Sequence, residues 1–214
     1  MDTKGKIFLP ASYSDNKNLP VIYLIDYQEQ HFQVATDEFE KVINGVNQIE
    51  NFDALIVTLD THNDIDTHPG ELNEHYEIFK NMTFYVDENY TNNSSRTFIG
   101  RGSDAGIVLL TLIHESPESS IFDNFIVTDS SDPFINGVIY RIENNDVPDY
   151  VQSKKLHFSF SEDSNYANCT YLVNLINDSQ FPWLKFESVE YSDKNFENAY
   201  PISFAEGLKF VFEE

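Results

Sequence analysis

A chain of 214 residues, 41% hydrophobic and 14% aromatic, can bury one substantial core; this excludes disorder, is short for two domains, and makes residues 1–214 read as a single domain. Thirteen Lys and Arg against 36 Asp and Glu give a formal charge of −23 at pH 7, a surface that repels phosphate backbones and anionic lipid, so no nucleic acid and no membrane is expected as a partner. A single cysteine, Cys169, excludes an intrachain disulfide and a cysteine-built metal centre, and the absence of a signal-peptide pattern or a long apolar run makes a cytoplasmic protein the expectation.

Taken in chain order, "PVIYLI" (20–25) is β-branched and aromatic with no polar interruption, which predicts a strand buried on both faces. "ATDEFEKVINGVNQI" (35–49) places Phe39, Val42, Ile43 and Val46 three and four apart, the period of a helix with one apolar face. "ALIVTL" (54–59) predicts a second strand. "ELNEHYEIFKNMTFYVDENY" (71–90) predicts a helix whose inner side carries Leu72, Tyr76, Phe79 and Phe84. "TFIG" (97–100) is the third strand and "GIVLLTLIHES" (106–116) the helix behind it. Strands at 124–130 and 155–161, a helix at 166–177, a strand at 186–192 and a helix at 204–214 complete the series.

Strands alternating with helices predict an α/β architecture, a mostly parallel sheet with helices on both faces and right-handed crossovers. In such sheets, sites form beyond the carboxyl ends of the strands. That directs attention to "RTFIGRGSDAGIVLLTL" (96–112), where a strand passes through a turn of small residues into a helix. Gly100, Gly102, Ala105 and Gly106 meet the steric demand of a nucleophile elbow, where strand and helix meet closely around a strained apex. The following helix also turns its first N–H groups toward the turn. With no hydroxyl at Gly102, the apex reads as a relieved turn, with Ser103 capping the helix.

Four blocks in order carry a resemblance: "LPVIYLIDYQEQHFQVAT", "FDALIVTLDTHNDID", "FYVDENYTNNSSRTFIGRGSDAGIVLL" and "FESVEYSDKNFENAYPISFAEGLKFVF". Together they resemble the esterase family of α/β-hydrolases that includes enterochelin esterases and S-formylglutathione hydrolase-like enzymes. The resemblance implies an α/β-hydrolase-type sheet whose N-terminal strands are shortened here. It implies an oxyanion segment at Asp26, Tyr27 and Gln28, completed by the backbone at Ser103. It also sets Gly102 on the nucleophile position and Phe196 on the position of the catalytic histidine, with the acid falling near Glu162 or Asp163.

The departures decide the chemistry that is expected. Acyl transfer on this fold needs a hydroxyl with a base in hydrogen-bond reach, and neither Gly102 nor Phe196 supplies one. The first expectation is therefore an esterase-like protein without hydrolytic activity, retaining a structural role or a pocket for a small acyl, ester or peptide-like ligand. The second is a carboxylic-ester hydrolase that recruits Ser103 with a displaced base such as Asp104. A third is a scaffold or dimerisation domain without a ligand; the oligomeric state is left open.

Other clusters point less far. "DTHNDIDTHPGELNEH" (60–75) gathers His62, His68 and His75 among five carboxylates, the right ligand types for zinc. No H-x-x-x-H or H-E-x-x-H spacing places two of these histidines on one helical face, so a solvated acidic loop is expected, with no metal and no cofactor. His31, His114 and His157 read as structural histidines, and Trp183 as an anchor between a helix and a strand. "DSSDPF" (129–134) reads as a turn.

Overall fold

The computed structural model describes residues 5–25, 37–59, 72–162 and 164–213. Seven strands run through them: β1 (Gly5–Phe8), β2 (Val21–Ile25), β3 (Leu55–Leu59), β4 (Arg96–Arg101), β5 (Asn124–Thr128), β6 (Lys154–Ser161) and β7 (Leu184–Tyr191). Six helices accompany them: α1 (Asp37–Val46), α2 (Leu72–Asn89), α3 (Gly102–His114), α4 (Asp132–Glu143), α5 (Tyr166–Ser179) and α6 (Phe196–Phe212). The strands form one sheet in the order β1-β3-β2-β4-β5-β6-β7. Only β1 is antiparallel, pairing Gly5–Phe8 with Phe8↔Ile56 through Gly5↔Leu59; every other pair is parallel.

The uninterrupted apolar strands follow from burial on both faces. Val21, Tyr23 and Ile25 of β2 belong to a core shared with α2, α3, α4 and α5, whereas Ile22 and Leu24 belong to a second core with α1 and α6. All five residues are fully buried, so no position of β2 is left for the polar residue that marks a solvated face. The first core is rich in rings. Phe98 stacks on Phe122 with centroids 4.5 Å apart, and Phe79 meets Phe98 edge-on at 4.9 Å.

Three helices differ from the reading of the sequence in ways that bear on the core and the site. In α2, Phe84 is 55% exposed, and the inner face runs through Leu72, Tyr76, Phe79, Thr83 and Val86. Steps of three and four keep that row on one side, and Phe84 falls one residue off it. Residues 132–143 form α4, whose first three residues fall within the stretch read as a turn. Ser131 stands at its N-cap position with a proline in the first turn, the pairing that starts helices, and Phe134, Ile135, Val138 and Ile142 pack inward. The last helix begins at Phe196 rather than 204, because the Asn195 side chain caps the Asn198 N–H at 3.1 Å and Pro201 is carried inside the helix. Trp183 is buried in the α5–β7 connection, against Phe181 and edge-on to Tyr150. No helix among the described residues is long and apolar enough to cross a membrane.

Candidate functional site

The parallel strands deliver the ends of β4, β5 and β6 to one edge of the sheet. Gly100↔Val127 and Arg101↔Thr128 set β4 beside β5, and Thr128↔Ser159 sets β5 beside β6. At the end of β4 the chain turns directly into α3, whose first residue is Gly102. Its φ of +60° lies in the left-handed region, where a side chain costs energy and glycine does not. Gly100 is needed for a different reason: a Cβ there would lie 2.9 Å from the Ala105 nitrogen. Strand and helix backbones touch at this point, as an elbow requires.

Arg101, not Ser103, occupies the N-cap position of α3, and no side chain caps it. Ser103 lies inside the helix, exposed, and its hydroxyl makes no hydrogen bond among the described residues. The expected capping role is therefore corrected: α3 starts four residues earlier than its apolar run, so the serine falls past the cap. Asp104 lies in the first turn, where a carboxylate faces the positive end of the helix dipole.

The elbow and the start of α6 meet. A Cβ placed on Gly102 would stand 3.4 Å from Cζ and 3.7 Å from Cε2 of Phe196, so the phenyl ring lies against the apex. Arg101 closes over it. Its guanidinium carbon is 4.7 Å from the Phe196 ring centre and 4.1 Å from that of Tyr200, both within cation–π range. Arg101 Nε donates to Glu38 Oε1 at 2.5 Å and Nη1 to Glu197 Oε2 at 3.4 Å. One arginine thus ties α1 and α6 together across the elbow. These partners were not legible in the sequence, because Glu38, Arg101 and Tyr200 are far apart in the chain and each is ordinary in its own segment.

Beside Phe196 lies a cavity of about 240 Å³ lined by Asp129, Ser130, Ser131, Asp132, Ser164, Asn165 and Phe196. The Ser131 N–H donates to the Gly102 carbonyl at 3.3 Å, which fastens the start of α4 to the elbow. Asp129 is 6% exposed; its Oδ1 accepts from the Ser161 N–H at 2.6 Å and from the Ser164 hydroxyl, and its Oδ2 has no partner among the described residues. The Ser130 hydroxyl, buried, also has none among them. Asp132 accepts from the side-chain amides of Asn165 and Asn168 at 2.9 and 3.3 Å. Burial, aided by Asp129 and Asp132, pushes the nearby Cys169 thiol up to about 12, so it stays a neutral thiol. Tyr191 is raised too, first by burial, with Asp129 contributing.

The remaining candidates divide. Glu162 is exposed, with its N–H donated to the Lys194 carbonyl at 3.1 Å. Asp163, the segment with Asp26, Tyr27, Gln28 and His31, and His62 and His68 lie outside the described residues, as does the side chain of His75. His157, buried in β6, binds Glu187 Oε2 through Nδ1 at 2.9 Å, and its Nε2 has no partner among the described residues. His114 packs edge-on to Tyr76 at 5.4 Å. Neither of these imidazoles hydrogen-bonds a hydroxyl among the described residues. Thr128, Ser159 and Ser203 do form a buried hydroxyl cluster, with Ser203 Oγ 2.6 Å from both Thr128 Oγ1 and Ser159 Oγ. With no base among them, they bond β5 and β6 to α6. No group of three or more His, Cys, Asp or Glu able to hold a metal occurs among the described residues.

No protein-family model matches the chain, and no curated protein matches it by sequence. Solved structures do. An IroE-like serine hydrolase from Shewanella oneidensis superposes with a TM-score of 0.81 at 14% identity, covering 99% of this chain and 76% of that one. The siderophore hydrolase EstA from Aspergillus nidulans gives 0.73 at 14% identity, with 98% and 89% covered. A carboxylesterase from Bacillus cereus gives 0.66 at 9% identity, with 99% and 95% covered. The fold is therefore the α/β-hydrolase fold, with six parallel strands and helices on both faces.

Proposed function

We propose that this protein is a non-hydrolytic relative of the esterase-type α/β-hydrolases, in which the elbow end of the sheet serves as a binding edge for a small acyl, ester or peptide-like ligand. One observation carries the reading: the Phe196 ring lies 3.4 Å from where a side chain on Gly102 would begin. The fold's usual mechanism needs an oxygen nucleophile at that apex and an imidazole facing it. Here there is a hydrogen and a phenyl ring, neither of which can accept or pass a proton. Losing such groups lowers rates by several orders of magnitude. The adjoining cavity, with Asp129, Asp132, Ser131, Ser164 and Asn165 around Phe196, supports a role in binding.

The purified protein is expected to release no p-nitrophenol from p-nitrophenyl acetate or butyrate above the buffer rate. Ser103→Ala is expected to leave that baseline where it was. Turnover that Ser103→Ala abolishes would sink the proposal in favour of a hydrolase using Ser103.

A further inference from the structure

We infer that β7 is an interface strand, whose outer side pairs antiparallel with the β7 of a second copy of this chain in a register centred on Phe186. The pairing is independent of what the elbow binds.

The two edges of the sheet differ. β1 has 4 residues, whereas β7 has 8 and keeps unbroken step with β6 from Lys154↔Leu184 to Ser161↔Tyr191. Among the described residues, no further strand pairs with the outer side of β7. The Lys154 N–H donates to the Trp183 carbonyl at 2.7 Å. Trp183 and, by alternation, Lys185, Glu187 and Val189 therefore turn their backbone groups toward β6, and those of Leu184, Phe186, Ser188 and Glu190 face outward. Natural edges resist pairing through proline, a bulge or extreme shortness, and β7 has none of these.

Charge selects the partner and the register. A two-fold copy keeps each face of the sheet on its own side, so every antiparallel register centres on one residue. Centred on Lys185 or Glu187, a charge meets its own copy and repels it. Centred on Ser188, Glu190 falls opposite Phe186 and Glu187 opposite Val189, which sets carboxylates against apolar side chains. Centred on Phe186, Lys185 stands opposite Glu187 on both sides of the axis, Phe186 meets Phe186, and Leu184 and Ser188 exchange backbone hydrogen bonds. Both charged side chains lie exposed on the α6 face. The Lys185 ammonium is 5.2 Å from the Phe210 ring centre, and His157 Nδ1 holds Glu187 Oε2 at 2.9 Å. Edge charges keep copies apart when like meets like, whereas opposite charges two residues apart about an apolar centre are self-complementary. The formal charge of −23 on each copy opposes approach, but at physiological ionic strength it is screened beyond about 8 Å. The paired side chains start closer, with Cβ atoms about 5 Å apart.

The test is sedimentation equilibrium of the full chain at physiological ionic strength over a range of concentrations. The expected result is a reversible dimer. Lys185→Glu and Glu187→Lys each set like charges opposite one another and should raise the dimer Kd about tenfold or more. An equimolar mixture of those two variants restores both opposite-charge pairs, and should associate as tightly as the parent. Ser188→Pro removes an N–H that faces away from β6, so the chain should stay folded and become monomeric. A parent that is monomeric up to millimolar concentration, a dimer that survives Ser188→Pro, or a mixture no tighter than its single variants overturns the proposal. If Glu187→Lys, which deprives His157 of its partner, fails to fold by far-ultraviolet circular dichroism, Lys185→Glu and Ser188→Pro still decide.

Discussion

Charged groups are buried at both ends of the sheet, and the two ends treat them differently. At the amino end, Glu115 from the close of α3 and Lys154 from the start of β6 have side chains with no exposed surface. Glu115 Oε1 accepts from the N–H groups of Ile121 and Phe122 at 2.7 and 3.2 Å, and Oε2 accepts from Ser120 at 3.1 Å and Lys154 at 3.5 Å. Lys154 also donates to Ser120 and to the Phe122 carbonyl. Burial pushes Glu115 up and Lys154 down, against their mutual attraction and the hydrogen bonds. At the carboxyl end, Asp129 keeps one oxygen and Ser130 its hydroxyl without a partner among the described residues. A closed network holds structure, whereas a buried group left partly unpaired costs stability.

The widest way to break this contrast is to remove one member of the closed network. Lys154→Met leaves the Glu115 charge buried without its cation, and breaking such pairs costs about 3–5 kcal/mol. Urea denaturation should show that loss, against about 1 kcal/mol for Asp129→Asn at the open end. Equal losses would mean the two ends do the same job.

The next effect is smaller and confined to the elbow. Gly102→Ala places a methyl 3.4–3.7 Å from the Phe196 ring, near ordinary contact, so the cost comes from φ of +60°. About 1–2 kcal/mol is expected, measured as a drop in Tm. A variant as stable as the parent would show that the elbow backbone has relaxed out of the left-handed region.

The smallest effect is a pH dependence. Burial holds His157 below its ordinary value, although Glu187 opposes this. The unfolded chain therefore takes up the proton first as pH falls. Stability from this group is full above about 6.5 and is lost as pH drops toward the folded value, with a slope of at most about 1.4 kcal/mol per pH unit. Subtracting the urea curves of His157→Gln from those of the parent between pH 7.5 and 5.5 isolates it. A difference that grows as pH falls would reverse the sign and refute the burial argument.

Much of the fold was legible from local pattern. The apolar runs at 20–25, 54–59 and 97–100 became β2, β3 and β4, within a residue or two at each end, because a strand buried on both faces has no polar positions. The rows in α1 and α2 were legible for a similar reason, save at Phe84. The signal for α4 was present in "SSDPF", a serine at the N-cap position and an early proline, but polarity there resembled a turn. Phe196 was set on the histidine position from resemblance, and its helical start was hidden by Pro201.

The sequence by itself determined the alternation of strands and helices, the glycines of the elbow, and the missing hydroxyl at its apex. These depend on neighbours a few residues apart. Only the tertiary structure brought Phe196 against Gly102, drew Arg101 between Glu38 and Glu197, and left Asp129 and Ser130 incompletely satisfied beside one cavity. Those facts depend on strand register and on where distant loops converge, and a hydrogen bond left unmade is a property of packed surroundings that no local pattern encodes.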